Sequence, residues 1–236
     1  MLCARISLDQ GPRYALVDGD SYAVLADDPM FGDFTLTGQH LASSDVSLLT
    51  PMIPRSKIIG FTGFNDAKSV DDLHVYMKPN TSVIGPEEPL IIGSDEKEVY
   101  CRSEVAVIIG RPCKDLRAQA VDKVVFGVTL AHSLLRDKQA RGKAELSDAS
   151  CALGPYVAIG EGLDFLIDSI NGEQQGGSLP FTIQELVAYA SSLCSLLPGD
   201  IILSGSLSST RVAPSSVMET QCDGIGILSN PVLSRR

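Results

Sequence analysis

The hydrophobic pattern at the start of the chain predicts short β-strands separated by turns. Apolar runs at 2–8, 14–18 and 22–25 are interrupted by Asp9-Gln10-Gly11-Pro12 and by Asp18-Gly19-Asp20, two turn sequences. We therefore predict a small N-terminal β-lobe over residues 1–50, followed by a main domain over residues 51–236.

The main domain combines many apolar runs of strand length with few helical patterns. Ile183, Leu186, Val187, Ala190 and Leu193 recur at helical spacing, and Pro180 and Thr182 stand just ahead as a start signal, which predicts a helix over 183–196. Two further helix-rich stretches are predicted at 118–124 and 126–135, and two strands at 201–203 and 224–228. The Ser-rich segment 204–216 is predicted to be a mobile loop. Strand content is expected to exceed helix content, which favours a β-dominated α+β class.

One predicted strand, Ser103 to Gly110, carries the most informative pair of residues. Strand side chains alternate between faces, so Arg102 and Glu104 should share one face. Two carboxylates at these positions would suit a hard cation such as Mg²⁺. Because Arg102 occupies one of the two positions, two interpretations stay open. Arg102 forms an ion pair with Glu104, or its guanidinium holds a carboxylate or enolate oxygen of a ligand.

Composition narrows the partners and the compartment. The 236 residues are 44% hydrophobic and 20% charged, with a net charge of −10. Such a charge argues against nucleic acid and anionic membranes as partners. The six cysteines show no Cys-x-x-Cys spacing, which favours free thiols in a reducing compartment over zinc or disulfides. With no signal-peptide pattern and no run of 18 apolar residues, the expected location is cytoplasmic.

Several segments together resemble the fumarylacetoacetate hydrolase superfamily, over roughly residues 54–233. The matching segments, in chain order, are 54–60, Gly63-Phe64-Asn65, 76–86, 103–111, 127–131, 136–139, Leu153-Gly154-Pro155, Asn171-Gly172-Glu173, 181–189 and 197–205. The resemblance implies the family's mixed β fold, a small preceding β-lobe, a homodimer, and enolisable carbonyl compounds as small-molecule substrates.

The chain departs from the family where the family binds its metal and moves protons. The family's Glu-x-Glu plus Asp metal set matches only Glu104, because Arg102 and Ser133 occupy the other two positions. Its His-x-x-Glu dyad maps to Ser69 and Asp72. We therefore expect no cofactor and no metal. The alternative is Mg²⁺ bound through unexpected ligands such as Asp72 or Glu145.

Candidate catalytic residues are Arg102, Glu104, Lys78 and His132. Arg102 and Lys78 are possible electrophiles that stabilise negative charge. His132 lies beside the lost Asp position and titrates near neutrality, which makes it the candidate general base, although a lone His is more often a packed residue. Candidate substrate-binding residues, all at positions that the resemblance implies, are Asp72, Gln139, Asp148, Ser204 and Gly205.

Three functions follow as hypotheses. The first is a metal-independent enzyme that acts on an enolisable carbonyl compound by isomerisation, cyclisation or a lyase-like step, in a specialised biosynthetic pathway. The second is a Mg²⁺-dependent C–C bond hydrolase or 2-oxo acid decarboxylase. The third is a non-catalytic ligand-binding homologue.

Overall fold

β-Strands dominate the protein, as the apolar runs predict. The structure, a computed structural model, describes residues 1–94, 96, 98–136, 146–160, 162–175 and 179–235. The strands are β1 Leu2–Ser7, β2 Arg13–Asp18, β3 Ser21–Leu25, β4 Leu36–Ala42, β5 Ser47–Leu49, β6 Ile58–Thr62, β7 His74–Lys78, β8 Val83–Ile84, β9 Leu90–Ile92, β10 Val99–Ile109, β11 Val125–Arg136, β12 Cys151–Ala158, β13 Ser169–Ile170, β14 Glu173–Gln174, β15 Ile201–Leu203, β16 Thr210–Val212, β17 Val217–Cys222 and β18 Gly226–Ser234. Within these ranges, helical structure comprises α1, Ile183–Leu193, and short 3₁₀ turns at Ser43–Asp45, Val70–Asp72, Asn80–Ser82 and Ala118–Lys123.

The strands form two sheets. The larger has 13 strands in the order β4-β3-β2-β1-β12-β11-β10-β15-β6-β7, with β16, β5 and β8 paired to β10, β1 and β12. The smaller has five strands in the order β14-β13-β17-β18-β9. The β-dominated fold class is therefore confirmed.

The long hairpin of β10 and β11 lies at the centre of the larger sheet and is buried on both faces. Val105, Val107 and Ile109 belong to the main core with helix α1, whereas Ala106 and Ile108 belong to a second core with β6, β12 and β15. The prediction of a helical stretch at 126–135 is wrong, because these residues form β11. Full burial on both faces replaces the alternation that would have revealed the strand.

Helix α1 confirms the prediction over its first three turns. The Thr182 hydroxyl accepts a hydrogen bond from the backbone N–H of Glu185, and the Glu185 carboxylate accepts one from the N–H of Thr182. The helix ends at Leu193 rather than at 196, because Cys194 adopts an extended conformation. Leu186, Val187 and Ala190 are buried in the main core.

Two other predicted ranges differ from the observed elements. The strand expected over 224–228 begins at Gly226 and continues to Ser234. The Ser-rich segment expected to be a loop over 204–216 contains strand β16, which pairs with the first residues of β10.

The N-terminal residues extend the larger sheet. Strand β1 pairs with β2 on one side and with β12 on the other. Ala4, Ile6, Ala15, Tyr22 and Val24 nevertheless form a small core of their own. The division at residue 50 falls just after β5 and stays a prediction.

All six cysteines are unpaired, and Cys3, Cys101, Cys151 and Cys222 are buried. Burial raises the thiol pKa of Cys151 to about 12, so this thiol is protonated at neutral pH. In the part of the chain described, no helix has the length and apolar character required to cross a membrane.

Candidate active site

Three charged side chains lie together inside the protein, and we call them the charged cluster: Lys78, Arg102 and Glu104. Lys78 ends β7, and the other two belong to β10. Their exposed fractions are 1%, 8% and 0%, respectively. The predicted shared face of residues 102 and 104 is observed, with Arg102 Nη1 3.6 Å from Glu104 Oε1. The pair is therefore an ion pair, but a buried one.

Neighbouring groups hold the two cations in place. Arg102 Nη1 donates a hydrogen bond to the carbonyl oxygen of Phe61 at 3.0 Å, and its guanidinium carbon lies 6.0 Å from the centre of the Tyr76 ring. Lys78 Nζ donates to the Leu134 carbonyl oxygen at 3.2 Å and to Ser150 Oγ at 3.3 Å. These contacts fix positive charge around Glu104.

The carboxylate of Glu104 is the incompletely satisfied member of the cluster. Neither oxygen receives a hydrogen bond from any described residue, so the ion pair with Arg102 is mainly electrostatic. Burial raises the pKa of Glu104, while the charges of Arg102 and Lys78 and the backbone N–H of Gly205 oppose that rise. A buried carboxylate with a raised pKa and free lone pairs is suited to accept and return a proton.

The donor set of this cluster does not fit a Mg²⁺ ion. Mg²⁺ prefers oxygen ligands and needs more than one anionic group, whereas Glu104 is one carboxylate between two cations. Ser133, at the position of the family's third ligand, pairs with Arg102 across the β10–β11 ladder. Among the described residues, no group of three or more His, Cys, Asp or Glu side chains is placed to hold a metal ion.

A cavity of about 560 Å³ lies on the opposite face of β10. Ser103 and Val105 line it, so β10 itself separates the cavity from the charged cluster. Residues 163–167, 179–183 and 204–208 contribute most of the remaining wall. The wall is mainly apolar, with hydroxyl groups from Ser103, Thr182, Ser204, Ser206 and Ser208.

One loop beside β10 lies next to both the cavity and the charged cluster. Strand β15 pairs with residues 106–108 and β16 with residues 99–101, so the loop that starts at Ser204 runs alongside the residues between them. The Ser204 N–H donates to the Val105 carbonyl oxygen at 2.8 Å, and the Val105 N–H donates to Ser204 Oγ at 3.1 Å. Gly205 lines the cavity, and its N–H lies near Glu104.

A residue other than glycine would not fit at position 205, for a steric reason. Its φ of +80° favours glycine, and a Cβ atom there would lie 2.1 Å from the Phe64 ring. The structure thus brings the predicted residues Ser204 and Gly205 to the boundary between the cavity and the charged cluster.

His132 does not line the cavity and does not belong to the charged cluster. It is fully buried, with Nδ1 2.8 Å from Asn230 Oδ1 and Nε2 2.9 Å from Thr220 Oγ1. Burial lowers its pKa to about 4. A histidine with both ring nitrogens bonded and no access to the cavity is placed to support structure, and this position argues against the general-base interpretation.

Two further predicted positions, Asp72 and Asp148, are not brought into the site. Asp72 is exposed, and its carboxylate accepts hydrogen bonds from the N–H groups of Lys68 and Ser69, which closes a local turn. Asp148 is also exposed and does not line the cavity. Gln139 and Glu145 lie outside the described residues.

The sequence prediction missed Ser103 and Tyr76. Ser103 stands between Arg102 and Glu104, so strand alternation alone sends it to the opposite face, where it lines the cavity. Tyr76 precedes Lys78 by two residues on β7, and its hydroxyl lies 3.5 Å from Ser133 Oγ. Period-two spacing was the available signal for both residues.

Comparisons with known proteins agree with this architecture. The family model for the fumarylacetoacetate (FAA) hydrolase C-terminal domain matches residues 60–233, and the Rv2993c-like N-terminal model matches residues 1–51. Protein Rv2993c of Mycobacterium tuberculosis is 29% identical over 100% of this chain and 99% of its own length. The mitochondrial oxaloacetate tautomerase fahd2 of Xenopus laevis is 30% identical over 84% of this chain and 72% of its own length.

A solved structure gives the same picture. The 5-carboxymethyl-2-hydroxymuconate delta-isomerase of Mycobacterium smegmatis superposes with a TM-score of 0.89 at 30% identity, over 100% of both chains.

Proposed function

Since the chain belongs to the fumarylacetoacetate hydrolase family, we propose that it is an enzyme of the isomerase or tautomerase type that acts on an enolisable carbonyl compound without a metal. The observation that carries this proposal is the charged cluster, in which two cations lie near one carboxylate that receives no hydrogen bond from the described residues. The names of the tautomerase and isomerase relatives point to the same class of proton-transfer reaction.

The proposed substrate is a 2-oxo acid whose reacting end passes beside Gly205 towards Glu104. Arg102 and Lys78 hold its carboxylate and oxo oxygen and stabilise the charge that develops when a proton leaves the adjacent carbon. Glu104 accepts that proton and returns it to the oxygen. One C–H bond breaks, one O–H bond forms, and Glu104 ends the cycle unchanged.

Metal independence is supported by the position of the two cations. A guanidinium and an ammonium near Glu104 supply the positive charge that a divalent ion would otherwise bring to an enolate. Placing Mg²⁺ among them would add like charges at short range, which is unfavourable in a buried site.

The proposal is tested by following the enol-to-keto conversion of two 2-oxo acids, oxaloacetate and phenylpyruvate, by ultraviolet absorbance. We expect conversion of at least one of them above the buffer rate, unchanged by a chelator and lost in Glu104→Gln. Chelator-sensitive turnover would instead favour the Mg²⁺-dependent hydrolase or decarboxylase. Folded protein without any turnover of either compound would contradict the proposal.

A non-catalytic binding protein is the second candidate function. One observation favours it: the charged cluster does not line the cavity, and the described cavity wall carries no cation. Ligand binding without turnover, measured by calorimetry over a set of carbonyl compounds, would select this candidate. The homodimer and the cytoplasmic location remain predictions.

A further inference from the structure

A buried chain of hydrogen bonds leads from the cavity to Asn230, and its direction is fixed at the Asn230 end. The side-chain NH₂ of Asn230 donates to the carbonyl oxygens of Gly85 and Glu88, both at 2.9 Å. The amide oxygen of Asn230 therefore faces His132 Nδ1 and accepts its proton. In the neutral ring this leaves Nε2 of His132 as an acceptor.

The next two hydroxyl groups follow from this tautomer. Thr220 has a single hydroxyl proton, which it donates to His132 Nε2 at 2.9 Å. Thr220 Oγ1 also bonds to Ser103 Oγ, and with its own proton committed it must accept the proton of Ser103. The Ser103 oxygen is thus left with lone pairs only for any group inside the cavity, which Ser103 lines.

The rest of the cavity wall disfavours a second carboxylate. Asp164 is the one charged side chain among the described lining residues, and its charge is negative. Leu163, Phe165, Phe181 and Leu207 supply apolar surface. An additional anion would meet the negative charge of Asp164 and, at Ser103, an oxygen that can only accept, and the wall would offer it neutral hydroxyl groups but no cation.

We propose that this cavity binds the non-reacting arm of the substrate, and that the arm is apolar and carries a hydroxyl or N–H group that donates to Ser103. The inference rests on the proposed function for the position of the reacting end. It assigns the substrate to 2-oxo acids with an apolar, hydrogen-bond-donating arm rather than to dicarboxylates. Thr220 and His132 are positioning residues in this arrangement, since they set the direction of the Ser103 hydroxyl.

The test is isothermal calorimetry with three ligands: 4-hydroxyphenylpyruvate, 4-fluorophenylpyruvate and oxaloacetate. The hydroxyl and fluoro compounds are similar in size, but only the first can donate. The wild type should bind the hydroxyl compound about five- to tenfold more tightly than the fluoro compound, the usual effect of one net hydrogen bond. Oxaloacetate should bind more weakly than either. Equal affinity for the hydroxyl and fluoro compounds overturns the proposal.

Two variants test the role of the buried chain. Ser103→Ala removes the acceptor and should abolish the preference for the hydroxyl compound. Thr220→Val keeps the side-chain shape but frees the Ser103 proton to turn into the cavity, so the preference should narrow. Thr81→Val, at an exposed threonine, is the matched control and should keep the wild-type ratio. A folded Ser103→Ala protein with an unchanged ratio overturns the proposal.

A second pair of variants tests the apolar wall. Leu207 and Leu233 are both 45% exposed, but only Leu207 lines the cavity. Leu207→Ser should weaken binding of 4-hydroxyphenylpyruvate and leave oxaloacetate unaffected, whereas Leu233→Ser should change neither. Equal effects of the two variants contradict an apolar arm in this cavity.

The calorimetric result is independent of turnover, so the two proposals can fail separately. Selective binding of the hydroxyl compound without any conversion would remove the proposed enzymatic function and leave the ligand assignment standing. Conversion of a 2-oxo acid that depends on Glu104, with no preference for a donating arm, would do the reverse.

Discussion

The two faces of β10 bury polar groups in opposite ways. On one face, Arg102 and Glu104 form an ion pair, and both oxygens of Glu104 lack hydrogen bonds from the described residues. Thr129 shares this face through its pairing with Ala106, and its hydroxyl is also unbonded within the described chain. On the other face, Ser103 and His132 belong to a neutral chain with every polar atom bonded.

The difference supports the proposal that the charged cluster is functional and that the chain through His132 is structural. Buried polar groups are normally satisfied, because an unpaired donor or acceptor in the interior costs about 1–3 kcal/mol. The chain through His132 obeys this rule and rigidifies the core. The charged cluster violates it, and unsatisfied buried charge is a feature of sites that meet a ligand.

The largest expected effect on turnover comes from removing a cation of the charged cluster. Arg102→Ala should lower turnover of the active 2-oxo acid about 10²–10³-fold, the usual loss when one oxyanion donor is removed. Because this variant also leaves Glu104 buried without its nearest cation, thermal unfolding should be measured beside the kinetics. Arg13→Ala, at an exposed arginine, is the control. Full activity in a folded Arg102→Ala protein would reduce the ion pair to a structural role.

The hydrogen-bonded chain on the Ser103 face of β10 should make the stability of the protein depend on pH. The pKa of His132 is about 4 in the folded protein against 6.5 for a free histidine, so folding favours the neutral ring. Its stabilising effect is complete above pH 6.5 and is lost as the pH falls towards 4. The expected loss is roughly 3 kcal/mol at about 1.4 kcal/mol for each pKa unit.

His132→Gln is the variant that isolates this effect. It should lower stability at neutral pH, because the chain between Asn230 and Thr220 is disturbed, but it should flatten the slope between pH 6.5 and 4. Denaturant unfolding at several pH values measures both quantities. An unchanged slope would show that another group carries the acid sensitivity.

Metal binding gives a second test of the charged cluster, because added carboxylates should create a cation site there. The wild type should bind neither Mg²⁺ nor Mn²⁺ tightly, since Arg102 and Ser133 replace two of the family's three matched ligands. Arg102→Glu with Ser133→Asp places carboxylates at both positions and should gain affinity for the cation while losing native turnover. Calorimetric titration of both proteins checks this. A stoichiometric ion that survives dialysis of the wild type would contradict it.

The smallest effect on stability and turnover is expected at Asp72, which belongs neither to the charged cluster nor to the chain through His132. Asp72→Ala should lower the thermal midpoint slightly, because the carboxylate accepts hydrogen bonds from the backbone at Lys68 and Ser69. Turnover should not change. A strong loss of turnover would instead support Asp72 as a substrate-binding residue, the role that the sequence predicts.

Standard family reactions give a further check on the lost dyad. Ser69 and Asp72 stand where the family has His and Glu, so acylpyruvate hydrolysis and oxaloacetate decarboxylation should be near background. A turnover of about 1 per second or more for either reaction would contradict this expectation.

Local rules were enough to predict part of this molecule. The β-dominated class, the first three strands, helix α1 with its Thr182 cap, and the shared face of Arg102 and Glu104 all follow from periodicity and capping chemistry. Each of these depends on residues close together in sequence, where spacing alone determines geometry.

The tertiary structure decided the rest. Strand β11 escaped prediction because burial on both faces hides its period of two. The burial of Lys78, the incomplete hydrogen bonding of Glu104 and the chain from Ser103 to Asn230 depend on groups up to 127 positions apart in the numbering, which only folding brings into contact. The sequence determines which side chains can ionise or donate a hydrogen bond. Their burial and their partners in the folded protein determine which of these side chains do so.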